Sequence, residues 1–334
     1  MSPFRASAVT LTLLGMLPWG PALADSFDEG LRRAAQEREA WRTQVESGGI
    51  EGIRAHVAPD AEKNWSSGIF YGRVGDAAVV IRAPLPVGGV DVSEAVRSHN
   101  LVHSLAHQMG APEIAQPAIE IPTPPALRRH TRAKTVMVVR HAGERRRPGH
   151  VVSETAQQAI PEAHRLVGAA IDVVTGRQDS RRKNILLEET DEWSPSAPML
   201  LIDHDNALGR FCWWGEPNRS RFFKGEVLAY RSEQRSFDQL PSAIRETVQG
   251  LVLLDGPTLA RLYGLTGREA GYAHQAAGWL RFAGLDRAAS AYPARAHNPW
   301  WMMRQARNFV IEQPVKRVGR KLLKAASRLR RRKR

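Results

Sequence analysis

Short apolar runs bounded by glycine and proline recur between residues 66 and 140 of the chain. Residues 66–82 predict two short strands, because glycines divide a sequence that ends in the β-branched run Ala77–Ile81. The stretches 117–122 and 134–140 have the same character and predict two more strands on either side of a proline-rich segment. These patterns predict a β-rich N-terminal region.

Apolar residues at helical spacing mark four other stretches. Residues 27–55 carry few apolar positions among many charges and predict an exposed helix, whereas Ser93–Met109 predicts a helix whose first residue is a candidate cap. Residues 153–175 predict one or two helices with a proline at a helix start, and the pattern of residues 238–308 predicts a largely helical region. Strands with one helix, followed by a helical half with one hairpin, predict an α+β fold.

The first residues have the three-part pattern of a secretory signal peptide. A basic start at Arg5 precedes the apolar stretch Ala6–Leu17, and the small residues Ala22 and Ala24 precede Asp25. The apolar stretch is short for a bilayer span. We therefore expect cleavage after Ala24 and export to the periplasm or beyond the cell. An N-terminal anchor and a disordered leader are the alternatives.

The basic character of the chain is concentrated at its C-terminus. The formal net charge is +14, and removing Arg5 and the eleven Lys and Arg residues between Lys316 and Arg334 leaves +2. Apolar positions at helical spacing in this tail predict a basic amphipathic helix that binds an anionic membrane surface. A disordered end and a nucleic-acid contact are the lower-ranked alternatives. The single cysteine, Cys212, excludes an intramolecular disulfide, and no disulfide-linked partner is expected.

The stretch Ala170–Gly209 carries the strongest candidate chemistry. Asp179 is followed five residues later by Asn184, and Asp203 ends the apolar run 198–202. Because antiparallel strands return to their starting end, a hairpin here would place Asn184 beside Asp203. Carboxylate and amide oxygens suit Mg²⁺, which makes Asn184 and Asp203 candidate metal ligands and Asp179 a candidate base. The alternative is a set of ordinary turn residues. Four cations surround Asp179 in sequence: Arg177, Arg181, Arg182 and Lys183.

The same stretch resembles the catalytic and metal loops of atypical protein-kinase-like enzymes. These are the phosphatidylinositol kinases, the HipA-like kinases and the secreted Golgi casein-kinase family. Their pattern is a Gly-Asn-x-Asp-Arg-His-like loop with an Asn five residues after the Asp, and then an Ile-Asp-x-Gly-like strand end. The matching positions in this chain are Gly176, Asp179, Asn184, Ile202 and Asp203. The departures from the pattern are Arg177, Ser180 or Arg181, His204 and Asp205.

The resemblance implies a bilobal protein-kinase-like fold, with a small β-rich N-lobe and a larger, mainly helical C-lobe. It also implies a strand that ends in a cation and a helix whose Glu holds that cation, which here are Arg82 and Glu94. Those families usually carry Lys in place of Arg82, and an Arg keeps the charge without the geometry. Gly72 and Gly75 would belong to the turn over the phosphates. The alternative role for Glu94 is a first-turn acid favoured by the helix dipole.

Histidines and aromatic residues supply less specific patterns. His99, His103 and His107 lie four residues apart on one predicted helix, without an H-E-x-x-H acid or a nearby Cys. A polar helix face is therefore the favoured interpretation over a zinc site. The aromatic and basic stretch 211–225 could stack a base or a sugar, although packing in the core is the commoner role.

We therefore expect an exported kinase-like phosphotransferase that uses ATP and Mg²⁺ or Mn²⁺ to phosphorylate a hydroxyl on a protein, a sugar or a lipid head group. A catalytically impaired pseudokinase and a membrane-surface binding scaffold are the alternatives. A periplasm has no ordinary supply of ATP, so the expected export of the chain conflicts with the expected use of ATP as the phosphate donor. The polar segment 143–150 is the expected joint between the lobes. The expected divisions are signal peptide, N-terminal helical extension, N-lobe, C-lobe and tail, at 1–24, 25–60, 61–149, 150–313 and 314–334.

Overall fold

The fold is taken from a computed structural model, which describes residues 21–55, 67–84, 91–128, 131, 133–142, 146–148, 160–176, 184–188, 199–202, 204, 207–208 and 235–291. The helices within these ranges are α1 (Pro21–Gly48), α2 (Val92–Gln108), α3 (Glu162–Thr175), α4 (Ser242–Leu253), α5 (Gly256–Tyr263) and α6 (Gly267–Ala291). The strands are β1 (Glu51–Ala55), β2 (Ser67–Val74), β3 (Ala77–Pro84), β4 (Ala118–Pro122), β5 (Thr135–Arg140), β6 (Arg146–Pro148), β7 (Ile185–Glu188) and β8 (Leu200–Leu201).

The first five strands form one antiparallel sheet in the order β1-β2-β3-β5-β4. Strand β3 shows the two-residue period of such a sheet: Val79 and Ile81 are fully buried, whereas Val80 and Arg82 are partly exposed. The second half of α1 covers the face that carries Ile81, because Trp41 packs into the same apolar cluster. The first turns of α2 cover the opposite face.

Strands β6, β7 and β8 form a second, three-stranded antiparallel sheet. Its apolar side chains pack with helices α3 to α6 in the largest apolar core among the described residues. Helix α3 supplies a continuous buried run from Leu166 to Gly176, which explains why this segment is apolar on nearly every face. Helix α6 contains a break at Gly284, whose φ is +70°.

Two helices pass from the sheet to the helical core. Near its start, α1 places Phe27 in the helical core, and four turns later it places Trp41 against the sheet. Helix α2 runs the other way: Ala95 packs on the sheet, and Leu101 and Leu105 pack in the helical core. Helices α1 and α2 therefore pack in both apolar cores. We refer to the contact between the central turns of these two helices as the seam.

The mixed α/β architecture, with small antiparallel sheets and several helices, is compatible with the predicted α+β class. The strands predicted in 66–82, 117–122 and 134–140 and the helix predicted in 93–109 are confirmed, with shifted ends. The helix cap is Asp91, whose carboxylate accepts the Glu94 backbone N–H at 3.1 Å, and not Ser93.

Two local predictions are wrong. Residues 27–55 are not one exposed helix: α1 ends at Gly48, β1 follows it, and Trp41 and Val45 are buried because the sheet covers them. Part of the segment 143–150, predicted as a polar linker, is strand β6, because its backbone pairs with β7.

Several predictions fall on residues outside the described ranges. These are residues 1–20 of the leader, the stretch 211–225, Cys212 and the basic tail 314–334. Residues 21–24, just before the expected cleavage point, already belong to the first turns of α1. Among the described helices, none combines the length and the apolar character that crossing a membrane requires.

Candidate functional site

The site residues predicted from the sequence fall into two groups. Five of them are described by the structure: Gly72, Gly75, Arg82, Glu94 and Asn184. The other two, Asp179 and Asp203, lie outside the described ranges, although residues on both sides of each one are described. The described residues on either side show only where the segments of the two acids begin and end.

The hairpin that the sequence predicts between residues 184 and 203 is present. Strand β7 pairs with β8 in antiparallel register, with Ile185 opposite Leu201. The backbone N–H of Ile202 donates to the carbonyl oxygen of Asn184 at 3.0 Å. Asn184 is buried, with 4% of its surface exposed. The structure thus brings Asn184 to the residue that directly precedes Asp203.

A second backbone contact joins the other ends of the same segments. The N–H of Leu208 donates to the carbonyl oxygen of Thr175, the last residue of α3, at 2.5 Å. The segment that contains Asp179 starts beside Thr175 and ends at Asn184, and the segment that contains Asp203 starts at Ile202 and ends near Leu208. The two acid-bearing segments are therefore tied to each other at both ends.

Gly176 sets the exit from α3 into the Asp179 segment. It adopts a left-handed conformation with φ of +61°, which favours glycine, and its N–H donates to the carbonyl of Val173 at 3.2 Å. A Cβ at this position would overlap the ring and hydroxyl of Tyr272 on α6. The loop therefore leaves α3 in a direction that both the backbone and the packing of α6 define.

Arg82 and Glu94 lie in the same layer of the structure. Arg82 on β3 is directly opposite Met137 on β5, so their side chains share one face of the sheet. Val92 and Ala95, on either side of Glu94 in α2, pack against Met137. The first turn of α2 therefore lies over the face of the sheet that carries Arg82.

Gly75 lies far from Arg82. It forms the turn between β2 and β3 with φ of +55°, and Arg82 follows seven residues later on β3, which amounts to about 23 Å along a strand. Gly75 and Arg82 cannot contact one phosphate group. The end of the sheet that carries Arg82 is instead where β1 ends, because Ala55 pairs with Phe70 and Arg82 pairs with Ile69.

Gly72 has a packing role. A Cβ on Gly72 would lie 2.8 Å from a methyl group of Ile50 and 3.2 Å from the carbonyl oxygen of Glu51. Only a residue without a side chain lets β1 approach β2 this closely. The structure thus gives a reason for glycine at this position that does not involve a ligand.

Helix α2 also contacts the residue that follows Asp203. The rings of His99 and His204 meet edge to face with centroids 4.5 Å apart, and the His204 backbone N–H points at Nε2 of His99 at 3.5 Å. Both side chains are buried. Helix α2 therefore places Glu94 over the sheet. Slightly more than one turn later, its His99 packs against His204, the residue that follows Asp203. The buried Asp172 on α3 is a further acid that the sequence pattern did not single out.

A separate cluster of ionisable residues lies at the seam. Nε2 of His103 and Nε2 of His107 are 3.1 and 3.0 Å from the same oxygen of Glu37, Oε2, and 3.2 Å from each other. His103 is fully buried and His107 nearly so, which means that this polar face of α2 packs against α1 and does not face solvent. The four-residue spacing of the two histidines is visible in the sequence, whereas no local pattern points to Glu37, which reaches them from α1.

Two members of this cluster, Glu37 and His103, have shifted pKa values. Hydrogen bonds with His103 and then with His107 hold the pKa of the Glu37 carboxyl well below its usual range. Burial lowers the pKa of His103, and the hydrogen bond with Glu37 opposes that shift. Burial is the larger of the two effects on His103, so this ring is held neutral beside a carboxylate.

The chain matches no family model, and no curated protein matches it at a significant level.

Proposed function

We propose that this chain is a kinase-like phosphotransferase that moves the γ-phosphoryl group of ATP to a hydroxyl acceptor. One observation carries the proposal: the segments of Asp179 and Asp203 are tied together at both ends. The ties are the Asn184–Ile202 and Thr175–Leu208 backbone hydrogen bonds. A catalytic carboxylate in one segment and a metal-binding carboxylate in the other would require the two segments to lie together, and these bonds hold their described ends together.

The order of elements around this pair supports a two-lobed, kinase-like arrangement. In protein kinases the phosphate-binding cation lies on the third strand of the small lobe and pairs with a Glu of the helix that follows. Here Arg82 is on β3, the next helix is α2, and Glu94 is in its first turn over the same face of the sheet. The helical part then supplies the loop and hairpin that carry Asp179, Asn184 and Asp203.

The transfer step assigns one role to each group. The acceptor hydroxyl oxygen attacks the γ-phosphorus while the bond from that phosphorus to the β–γ bridging oxygen breaks. ADP leaves with the bonding electron pair, and the hydroxyl proton passes to the carboxylate of Asp179. Arg82 would contact the non-transferred phosphates, and Glu94 would orient Arg82. Arg181 and its neighbouring cations would hold the transferred group or an anionic acceptor.

The donor set fits a hard divalent cation. An amide oxygen from Asn184 and a carboxylate from Asp203 are the oxygen ligands that Mg²⁺ and Mn²⁺ accept. The Asn184 side chain is held at the start of β7 in a buried position, which limits its motion. Bound there, the ion would neutralise charge on the β- and γ-phosphates. The proposal does not use Gly75, which lies far along the strand from Arg82, or Gly72, whose close approach to β1 already explains a glycine there.

A nucleotide thermal-shift experiment tests the proposal. We expect ATP with Mn²⁺ to raise the Tm of the parent chain, and the non-hydrolysable analogue to do the same. Asp203→Ala should abolish the shift with little change in the Tm without ligand. Asp238→Ala is the control, because Asp238 is an exposed acid in the short 3-10 helix Phe237–Gln239, outside the segments of Asp179, Asn184 and Asp203, and it should respond like the parent.

The outcomes separate three cases. No nucleotide-dependent shift in the parent would reject the proposal. A shift that Asp203→Ala retains would make Asp203 a structural acid and reject the metal assignment. A shift that depends on Asp203, combined with no ATP turnover, would identify a nucleotide-binding protein that has lost transfer, which is the pseudokinase alternative.

A further inference from the structure

The seam between α1 and α2 holds a group of side chains with the composition of a zinc site. His103 and His107 are four residues apart on α2, so their rings leave the helix on one side. Glu37 approaches the same point from α1, and the three potential ligand atoms all lie within 4.8 Å of one another. Two histidines and one carboxylate form a ligand set that Zn²⁺ commonly uses.

The distances leave room for an ion. Nε2 of His103, Nε2 of His107 and Oε2 of Glu37 form a triangle with sides of 3.0, 3.1 and 3.2 Å. A point about 2.1 Å from all three atoms exists on either side of this triangle, and about 2.0–2.1 Å is the length of a zinc bond to these ligands. The Glu37 side chain is 39% exposed, so water can reach a fourth position.

Hydrogen bonding alone accounts for the triangle less well. A neutral imidazole has one N–H and one acceptor nitrogen. If both histidines donate from Nε2 to Glu37, two N–H groups face each other across 3.2 Å. If only one donates to Glu37, the other histidine points a lone pair at the carboxylate oxygen from 3.0 or 3.1 Å. Two acceptor atoms then face each other without a hydrogen between them. A cation between three lone pairs removes both conflicts.

The surroundings orient the carboxylate ligand. Nη1 of Arg140, at the end of β5, lies 3.9 Å from the other oxygen of Glu37, and its guanidinium stacks over the ring of Trp41 at 4.8 Å. Such outer contacts fix a ligand and typically change metal affinity by about 10–100-fold. Within the described residues, Nδ1 of His103 has no hydrogen-bond partner, so this histidine lacks the outer contact that supports most metal-bound rings.

We propose that Glu37, His103 and His107 form a divalent-metal site of the zinc type that clamps α1 to α2 at the seam. Each ligand would supply a lone pair, because a metal ion binds histidine as the neutral ring and glutamate as the carboxylate. The clamp fastens the two helices where they pass from the sheet core to the helical core. Mg²⁺ and Ca²⁺, which prefer oxygen ligands, are expected to compete poorly. The site is independent of the proposed phosphotransfer and shares no residue with it.

Calorimetric titration of the untagged, chelator-treated full chain with Zn²⁺ tests the site, and a thermal melt with and without Zn²⁺ accompanies each titration. We expect a single Zn²⁺ per chain and a higher Tm with Zn²⁺. Glu37→Gln keeps the size of the side chain and removes the anionic ligand, and His107→Ala removes a ring that is not fully buried. Each substitution should weaken Zn²⁺ binding by at least about tenfold. About tenfold is the lower end of the loss caused by removing an outer partner of a metal ligand, and removing a ligand itself should cost no less.

Glu113→Gln is the matched control. Glu113 also contacts a histidine, with Nε2 of His164 at 2.6 Å, and its side chain is 41% exposed, close to the 39% of Glu37. Within the described part of the chain, Glu113 and His164 are not part of a group of three potential metal ligands, so Glu113→Gln should bind Zn²⁺ like the parent. Failure of the parent to bind a single Zn²⁺ would overturn the proposal. Parental Zn²⁺ binding by both Glu37→Gln and His107→Ala would overturn it as well, even if other histidines bound the ion.

Discussion

The two proposed sites of this chain differ in how the segments that carry their residues are joined. The proposed Asp179–Asn184–Asp203 site is drawn from about 25 consecutive residues of the sequence, and the described ends of its segments are joined by the β7–β8 pairing and two backbone hydrogen bonds. The seam cluster takes Glu37 from α1 and its histidines from α2, more than 60 residues away. A local site can be inferred from spacing, whereas a site formed by two packed helices depends on how those helices cross.

The difference also extends to the chemistry of the ligands. The hairpin site offers oxygen ligands in a region rich in cations, which suits a hard metal ion beside phosphate. The seam cluster offers two imidazoles and one carboxylate among buried apolar residues, which suits a borderline ion held for stability. One molecule would then use two ions for two purposes, and the predictions below are designed to separate them.

The largest expected effect concerns the glycine that opens the Asp179 segment. Gly176→Ala should destabilise the fold by about 2–5 kcal/mol, because a left-handed Ala costs about 1–2 kcal/mol and overpacking against Tyr272 adds about 1–3 kcal/mol. Gly264→Ala is the matched control: Gly264 also ends a helix with φ of +65°, but no described atom lies within 4 Å of its Cβ position. Urea unfolding of both variants measures the difference. Equal losses of unfolding free energy in the two variants would show that the contact with Tyr272 does not contribute to the cost.

The second prediction tests the catalytic carboxylate of the hairpin site. Asp179→Asn keeps size and hydrogen bonding and removes the charge, so turnover should fall on the order of 10²-fold. Nucleotide affinity should change far less, because Asn184 and Asp203 would hold the metal. ATP hydrolysis or autophosphorylation provides the rate, and the thermal shift provides the affinity. Parental turnover in Asp179→Asn, in an assay that Asp203→Ala eliminates, would reject the base and leave the metal site standing.

The third prediction asks whether the two sites respond separately. Zn²⁺ at about ten times its Kd should slow amide hydrogen exchange on the order of tenfold in the facing turns of α1 and α2. ATP with Mn²⁺ should slow exchange in β7, in β8 and at the end of α3. Exchange measured by mass spectrometry resolves these peptides. If Zn²⁺ protected the hairpin and left α1 and α2 unchanged, the seam would not be the binding site.

The smallest expected effect concerns the clamp on β3. Arg82→Lys should bind nucleotide within a few-fold of the parent, because the point charge is kept. Arg82→Ala should weaken binding by roughly tenfold, in the range of a lost charge-assisted hydrogen bond. Arg73→Ala, an exposed cation on β2, serves as the control and should leave binding unchanged. If all three variants matched the parent, Arg82 would be a strand residue with no contact to nucleotide.

Local patterns determined most of the elements. Alternating β-branched residues predicted β2 to β5, helical spacing predicted α2, and the paired apolar runs predicted the hairpin that brings Asn184 to Ile202. These features depend on neighbours within a few positions, where side-chain period and turn residues set the backbone. The α+β class could be read from the order of these elements for the same reason.

Long-range packing decided what the local patterns could not. The charges of α1 suggested exposure, but the sheet and α2 cover the stripe that holds Trp41. Gly72 and Gly75 had the composition of a phosphate turn, but strand register places Gly75 at the far end of the hairpin from Arg82. His103 and His107 gave no sign of their acid, because the crossing of α1 and α2 brings Glu37 to them and no local spacing encodes that crossing. The sequence by itself determined which faces of the helices and strands are apolar, and the tertiary structure decided which of those faces pack together.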